Sequence, residues 1–450
     1  MVSWHLKGLF RLLLGWSATF ALEQSAEREI SATRENSQFV LLAHISDVHL
    51  SDFSDHSRLS DLFRLSSFLK MSTTKQPPPL IITGDLADSK RGHWSGGQAQ
   101  SEWEMYNQFI EQADADGVTV LDIPGNHDRF GVFSAADANS DFFTNFSATG
   151  KEQRRHNGVY SRMVGPVLCV GMDVTPIPGP NRPVNFHGVV TRDVLTELDI
   201  ALSQPADVKV VFAHYPTNTL VFPAAREGHG GRVFEILHKH GVSAYLSGHF
   251  HALFGHHLTA VHTASPASTT TDPPNSFLEW ELSDFKDGRH LRLLAWDQGR
   301  LTNAIFKSPK HNEVQSPMAL ITAPAHASHL RASPTPLPTD VMRLDKVRVV
   351  VVSETVVDKV VAEICQGAAG EGIRMGRVEL HRVHGEELLW EGVWNGTILT
   401  SGMYAAVIYA NGIKQPAMKA SRRVAWAFLV KYGIRYWTGD GGYLLRRIVK

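Results

Sequence analysis

Apolar residues follow two alternating rhythms up to about residue 250 and a single one after it. Short apolar runs at 39–46 (FVLLAHIS), 80–85 (LIITGD) and 118–123 (VTVLDI) read as buried strands. Helical spacing lies between them. Leu59, Leu62, Phe63 and Leu69 share one face, as do Trp103, Tyr106, Phe109 and Ile110. The runs GVYSRMV and PVLCVGMD, joined through Gly165 and Pro166, predict a hairpin. Thr191 caps a predicted helix over 191–203 that turns Val194, Leu195, Leu198 and Leu202 inward. Two more strands, VKVVFA and SAYLS, flank the helix RVFEILHKH.

From Leu258 to Phe306 the pattern is strand only, with LTAVHTA, FLEWELS and HLRLLAWD. Strands alternating with helices and then strands alone predict a layered α/β domain over 39–306. Residues 307–344 read as a linker, stiffened by the prolines of ASPTPLPTD. KVRVVVV, RVELHRV, LLWEGVW and MYAAVIYA then predict a small β-sandwich over 345–420. The last stretch, 421–450, carries Arg422, Arg423, Lys431, Arg435, Arg446, Arg447 and Lys450 among aromatics. A solvated helix packed on the sandwich is expected there, or a basic anchor at an anionic membrane surface.

Composition changes this picture little. With 450 residues the chain has room for two or three domains, and a net charge of −1 argues against a nucleic-acid partner. Cys169 and Cys365, both in apolar runs, are expected to be buried free thiols. Residues 1–38 begin with a basic segment, then an apolar stretch from Gly8 to Ala21 interrupted by Arg11, which resembles a signal peptide. A secretory or extracellular location is the matching expectation. Asn145-Phe146-Ser147 and Asn395-Gly396-Thr397 fit glycosylation acceptors. No run after the leader reaches the length of a membrane span.

The chemistry stands where the strands stop. HISDVHL ends in Asp47 and His49, LIITGDLAD in Asp85 and Asp88, and VLDIPGNHD in Asn126, His127 and Asp128. His214 closes VVFAHY, while His249 and His251 close YLSGHFH. Sites in open α/β sheets form beyond the carboxyl ends of strands, so these clusters are expected to converge. Gly84, Gly125 and Gly248 fit the turns that release each ligand. Carboxylate, imidazole and amide ligands together suit divalent Mn, Zn or Fe. Their number suits two ions sharing one carboxylate, a device for phosphoryl transfer.

The ordered pattern Asp-x-His, Gly-Asp-x-x-Asp, Gly-Asn-His-Asp, a lone His and Gly-His-x-His resembles the calcineurin-like metallophosphoesterases over residues 39–306. That resemblance implies a layered αββα sandwich and hydrolysis of a small phosphomonoester or phosphodiester by a hydroxide on a dinuclear centre. It places Asp47, His49 and His251 on the first metal and Asn126, His214 and His249 on the second, with Asp85 bridging. His127 becomes a general acid or transition-state stabiliser, and Asp88 and Asp128 orient ligands through hydrogen bonds. HISDVHLSDF, PGPNRPVNFHG and the following β-sandwich resemble, more narrowly, the transmembrane protein 62-like members. That group continues into C-terminal membrane helices, where this sequence shows a short basic and aromatic tail. The competing readings are a non-catalytic scaffold on the same fold and a membrane-surface binding protein.

Overall fold

The computed structural model describes residues 39–430 apart from 55, 91–96, 135–140, 181–184, 223–229, 253–257, 264–275, 314, 316, 325–345, 367–372, 395–401 and 413–424. The leader, the proline stretch 332–340, the Asn395 acceptor and all seven tail cations lie outside the described residues.

The first two strands, β1 (Val40–Ile45) and β2 (Leu80–Thr83), run parallel, and β2 runs parallel to β3 (Val120–Ile123). Alternation gives each of them two working faces. Leu41, Ala43, Ile45, Leu80 and Ile82 pack against helices α1 (Ser57–Met71) and α2 (Gln100–Ala115), on Leu62, Phe68, Trp103 and Phe109. Leu42, Ile81, Leu121 and Ile123 face a second sheet instead. Burying one such side chain contributes roughly 1.5–3 kcal/mol, so the alternation fixes which face meets which layer.

That second sheet begins with the expected hairpin, β4 (Val159–Val164) and β5 (Val167–Met172), closed by Val164 opposite Val167. A two-stranded pair, β6 (Gly188–Val189) and β8 (Leu220–Val221), stands apart. The sheet continues through β7 (Val208–Phe212), β9 (Ala244–Ser247), β10 (Thr259–Thr263) and β11 (Ser276–Glu281), in the order β10-β11-β9-β7-β5-β4. Strands β5, β7, β9 and β11 are mutually parallel, so their carboxyl ends emerge together. Two short helices, α3 (Phe143–Phe146) and α4 (Gly150–Arg155), precede the hairpin. Helices α5 (Arg192–Leu202) and α6 (Gly230–Lys239) add Val194, Leu198, Val233 and Leu237 to the sheet's core. The Thr191 hydroxyl caps α5 as expected, accepting from Val194 N at 3.2 Å. Both cysteines are buried, and neither is in a disulfide. Burial pushes the Cys169 thiol up to about 12.

Strands β12 (His290–Asp297) and β13 (Arg300–Lys307) complete the first sheet in the order β13-β12-β1-β2-β3. Part of the stretch expected to be linker, 307–344, is strand: β14 (Met318–Ala323) pairs antiparallel with β15 (Lys346–Val352). Its four successive apolar residues, Met318 to Ile321, bury against the common core. The proline-rich neighbourhood had masked that run. The expected tail helix is replaced, at Ala425–Val430, by a strand, β20, paired with β19 (Gly402–Gly412). With β16 (Val357–Gln366), β17 (Arg374–Arg382) and β18 (Leu389–Val393) these strands form one antiparallel succession, β14-β15-β18-β17-β16-β19-β20. The molecule is thus a mixed α/β fold of several sheets. One apolar core joins α1 and α2 to β14–β19.

Candidate metal centre

The loops after β1 and β2 stay in register beyond the strands, because Asp47 N donates to Gly84 O and His49 N to Asp85 O. Left-handed backbone then turns the side chains out of the sheet. Asp47, His49, Asp85, His249 and His251 all have φ between 48° and 75°. Non-glycine residues hold such angles at a cost of order 1–3 kcal/mol each, and strain of this kind clusters at functional sites. Of the three glycines, only Gly84 is left-handed. Gly125 and Gly248 are needed for closeness instead, since a Cβ there would overlap the Asp85 carboxylate or Ser46 and Asp47.

All the expected ligands converge, in two groups. Ligand atoms of Asp47, His49, Asp85 and His251 lie within 4.8 Å of one another. His251 Nε2 stands 3.0 Å from Asp47 Oδ1, and His49 Nε2 stands 3.5 Å from Asp85 Oδ2. In the second group, Asn126 Oδ1 is 2.9 Å from both His214 Nε2 and His249 Nδ1, which are 3.2 Å apart. Asp85 belongs to both: its Oδ1 is 3.6 Å from His214 Nε2.

Each imidazole is held from behind. His49 Nδ1 lies 3.1 Å from Asp88 Oδ1, and His251 Nδ1 lies 3.0 Å from Asp284 Oδ2. His214 Nδ1 meets Thr83 O at 2.7 Å, and His249 Nε2 meets Phe186 O at 3.2 Å. A proton donated backwards leaves a lone pair aimed at the shared space, which is how metal-binding histidines are oriented. His127 differs in direction: its Nδ1 is 2.6 Å from Asp88 O, and its backbone N–H donates to Asp85 Oδ1 at 2.8 Å. The Asp88 carboxylate thus stands beside His49, one of the expected ligands. Asp128 instead binds backbone, accepting from Leu86 N, Ala87 N and Gly125 N, so it pins the loops that carry Asp85 and Asn126.

The electrostatics fit a cation. Burial, with the negative charges of Asp47 and Asp128, pushes Asp85 well above the ordinary carboxylate range. Burial also opposes ionisation of Asp47, yet the imidazoles of His251, His214 and His49 outweigh it and hold Asp47 well below that range. Buried oxygen and nitrogen lone pairs converge on one space, a donor set of carboxylate, imidazole and amide that suits Mn, Zn or Fe.

Asp284 escaped the sequence reading. Its signal was position alone: it follows β11, whose carboxyl end points the same way as that of β9. The Phe186 carbonyl carried no signal at all.

Residues 40–253 match the family described as Calcineurin-like phosphoesterase. Transmembrane protein 62 of Mus musculus is 29% identical over 331 residues, which is 73% of this chain and 47% of that protein. A "Putative metallophosphoesterase" of Arabidopsis thaliana is 26% identical over 406 residues, 80% of this chain and 53% of that one. The chain thus spans about half the length of the curated relatives it matches. Among solved structures it is similar to "GAP50 the anchor in the inner membrane complex of Plasmodium". That likeness has a TM-score of 0.34 and 11% identity, covering 61% of this chain and 86% of the other.

Proposed function

We propose that this chain, whose residues 40–253 match the calcineurin-like phosphoesterase family, hydrolyses a small phosphomonoester or phosphodiester at a pair of divalent ions, Mn, Zn or Fe. The observation that carries the reading is Asp85, whose two oxygens face two separate donor groups. Asp47, His49 and His251 would hold one ion, Asn126, His214 and His249 the other, and Asp85 both. Such ions, when bound, supply Lewis acidity and an activated water for in-line displacement. Asp88 and Asp128 keep His49 and the ligand loops in place. His127, fixed at Nδ1 by the Asp88 carbonyl, presents its other nitrogen to a leaving-group oxygen and acts as general acid or stabiliser.

The layered sheets are read as an αββα sandwich. The C-terminal strands are read as a second, smaller sandwich folded at β17, which meets β16 along most of its length and β18 only at His381 and Arg382. A secretory or membrane-associated location is part of the same proposal, supported by the leader pattern and by the name of the mouse relative. Among the described residues no helix is long and apolar enough to cross a membrane.

A panel of phosphomonoesters and diesters, assayed with added metal and after chelation, tests the reading. Hydrolysis that disappears on chelation, returns with metal and is absent from Asp85→Ala is expected. A folded, metal-loaded chain that cleaves none of the panel, or one indifferent to chelation, contradicts it.

A further inference from the structure

Strand β11 and the turn leaving it lie beyond the matched segment 40–253. Yet three carboxylates on this short stretch each hold a loop that carries proposed ligands. Glu279, fully buried, accepts from Thr217 N at 2.7 Å and from the Thr217 hydroxyl at 2.6 Å, three residues beyond His214. Glu281, also buried, accepts from Ala252 N at 2.9 Å and Leu258 N at 2.8 Å, just beyond His251. Asp284 touches a ligand itself, with Oδ2 on His251 Nδ1 and Oδ1 on Gly288 N, each at 3.0 Å. Backbone from the same turn reaches the Asp47 loop: Phe285 N donates to Ser46 O and Lys286 N to Asp47 O.

A buried carboxylate is costly unless donors satisfy it. Each of the three takes at least one partner from a ligand loop, Glu279 having His262 Nε2 at 2.6 Å as well and Asp284 having Gly288 N, so their placement on one stretch couples those loops to a single rigid element. We propose that β11 with its exit turn is the positioning element of the metal centre, and that Asp284 is the positioning residue that orients His251 and raises its basicity toward the first ion. The inference rests on the two-ion reading above. Its physical basis is general: a carboxylate behind a metal-bound imidazole fixes the tautomer and ring angle, and its loss costs typically 10–100-fold in metal affinity.

The test uses the full chain with zinc alone as the probe, in a His214→Ala background that leaves only the first donor group intact. Zinc affinity is measured by calorimetric titration for that parent and for Asp284→Ala and Asp284→Asn made in it, with zinc-free melting temperatures alongside. Asp284→Ala should bind zinc about 10–100-fold more weakly. Asp284→Asn should lose less, because its amide oxygen still accepts from His251 Nδ1. This graded order, with melting temperatures that do not track it, separates positioning from a merely structural role. Unchanged zinc affinity in Asp284→Ala overturns the inference. Should that variant fail to fold, unchanged affinity in Asp284→Asn overturns it equally. A parent that binds no zinc overturns the two-ion reading, and this inference with it.

Discussion

His49 and His251 point their Nε2 atoms at each other across 3.4 Å, while the carboxylates of Asp88 and Asp284 stand behind their Nδ1 atoms. Two nitrogen lone pairs repel each other at that distance, so in the metal-free protein one of these nitrogens carries a hydrogen, directed at the other ring or at Asp47. Burial works against a charge on His251, but Asp47 and Asp284 prevail and push it up to about 11. Burial pushes His49 down to about 4. An ion entering the first group must therefore displace the His251 proton. Calorimetry in buffers of different ionisation enthalpy should report about one proton released per ion bound near pH 7. Binding without proton release contradicts this account of the pair.

The Asp128 carboxyl makes a second prediction, about pH and stability. Burial pushes it up to about 7, despite its three backbone donors, against an ordinary value near 3.9. The folded chain holds this proton more tightly than the unfolded chain. The stabilisation is therefore full below the ordinary value and is lost as pH rises to about 7. Asp128→Asn cannot lose it. In the metal-free protein, the stability of Asp128→Asn relative to wild type should rise steadily from pH 4 to pH 7, as measured by urea unfolding. A difference independent of pH contradicts the shift.

His127→Ala should retain metal but lose rate selectively. Burial and the neighbouring His49 push His127 well below its ordinary range, so the free ring is neutral with its proton at Nδ1 on the Asp88 carbonyl. An anionic substrate alongside favours the protonated ring. Removing a general acid costs typically about 10²–10⁴-fold for poor leaving groups. The deficit should shrink for nitrophenolate, which departs without a proton. A constant ratio to wild type along a series of aryl and alkyl phosphates would exclude the acid role.

These arguments use residues of differing legibility. Asp47, His49, Asp85, Asn126, His214, His249 and His251 were readable because each closes an apolar run, and parallel strands deliver their carboxyl ends to one edge. Asp284 obeys the same geometry but stands alone, without a spaced partner to mark it. β14 was hidden for a different reason: its strand pairing is with β15, across a proline-rich stretch, so local sequence gives no sign of the partner. The contact between Asp297 and Arg348 was equally invisible, since the two stand 51 residues apart and meet only after both sheets form.

That last pair makes a prediction about stability. Arg348 donates to both oxygens of Asp297 at 2.9 Å, with both side chains buried, and Thr322 adds a hydrogen bond to the same carboxylate. Removing one partner of a buried pair leaves an uncompensated charge and costs about 3–5 kcal/mol. Arg348→Ala should lose about that much in urea unfolding, although every proposed ligand lies between Asp47 and His251. Deletion of 341–450 should be worse, because it also strips β15–β19 from the shared core. A truncated chain with wild-type stability would contradict the joint core.

The central claim is that Asp85 stands between two ions. Crystals of the full chain loaded with manganese or zinc, measured at the metal absorption edge, test it most directly. The account predicts two anomalous peaks about 3.5–4 Å apart, one within the group of Asp47, His49 and His251, the other within that of Asn126, His214 and His249, with an Asp85 oxygen on each. A single peak, or none beside Asp85, in a loaded and folded protein would contradict it.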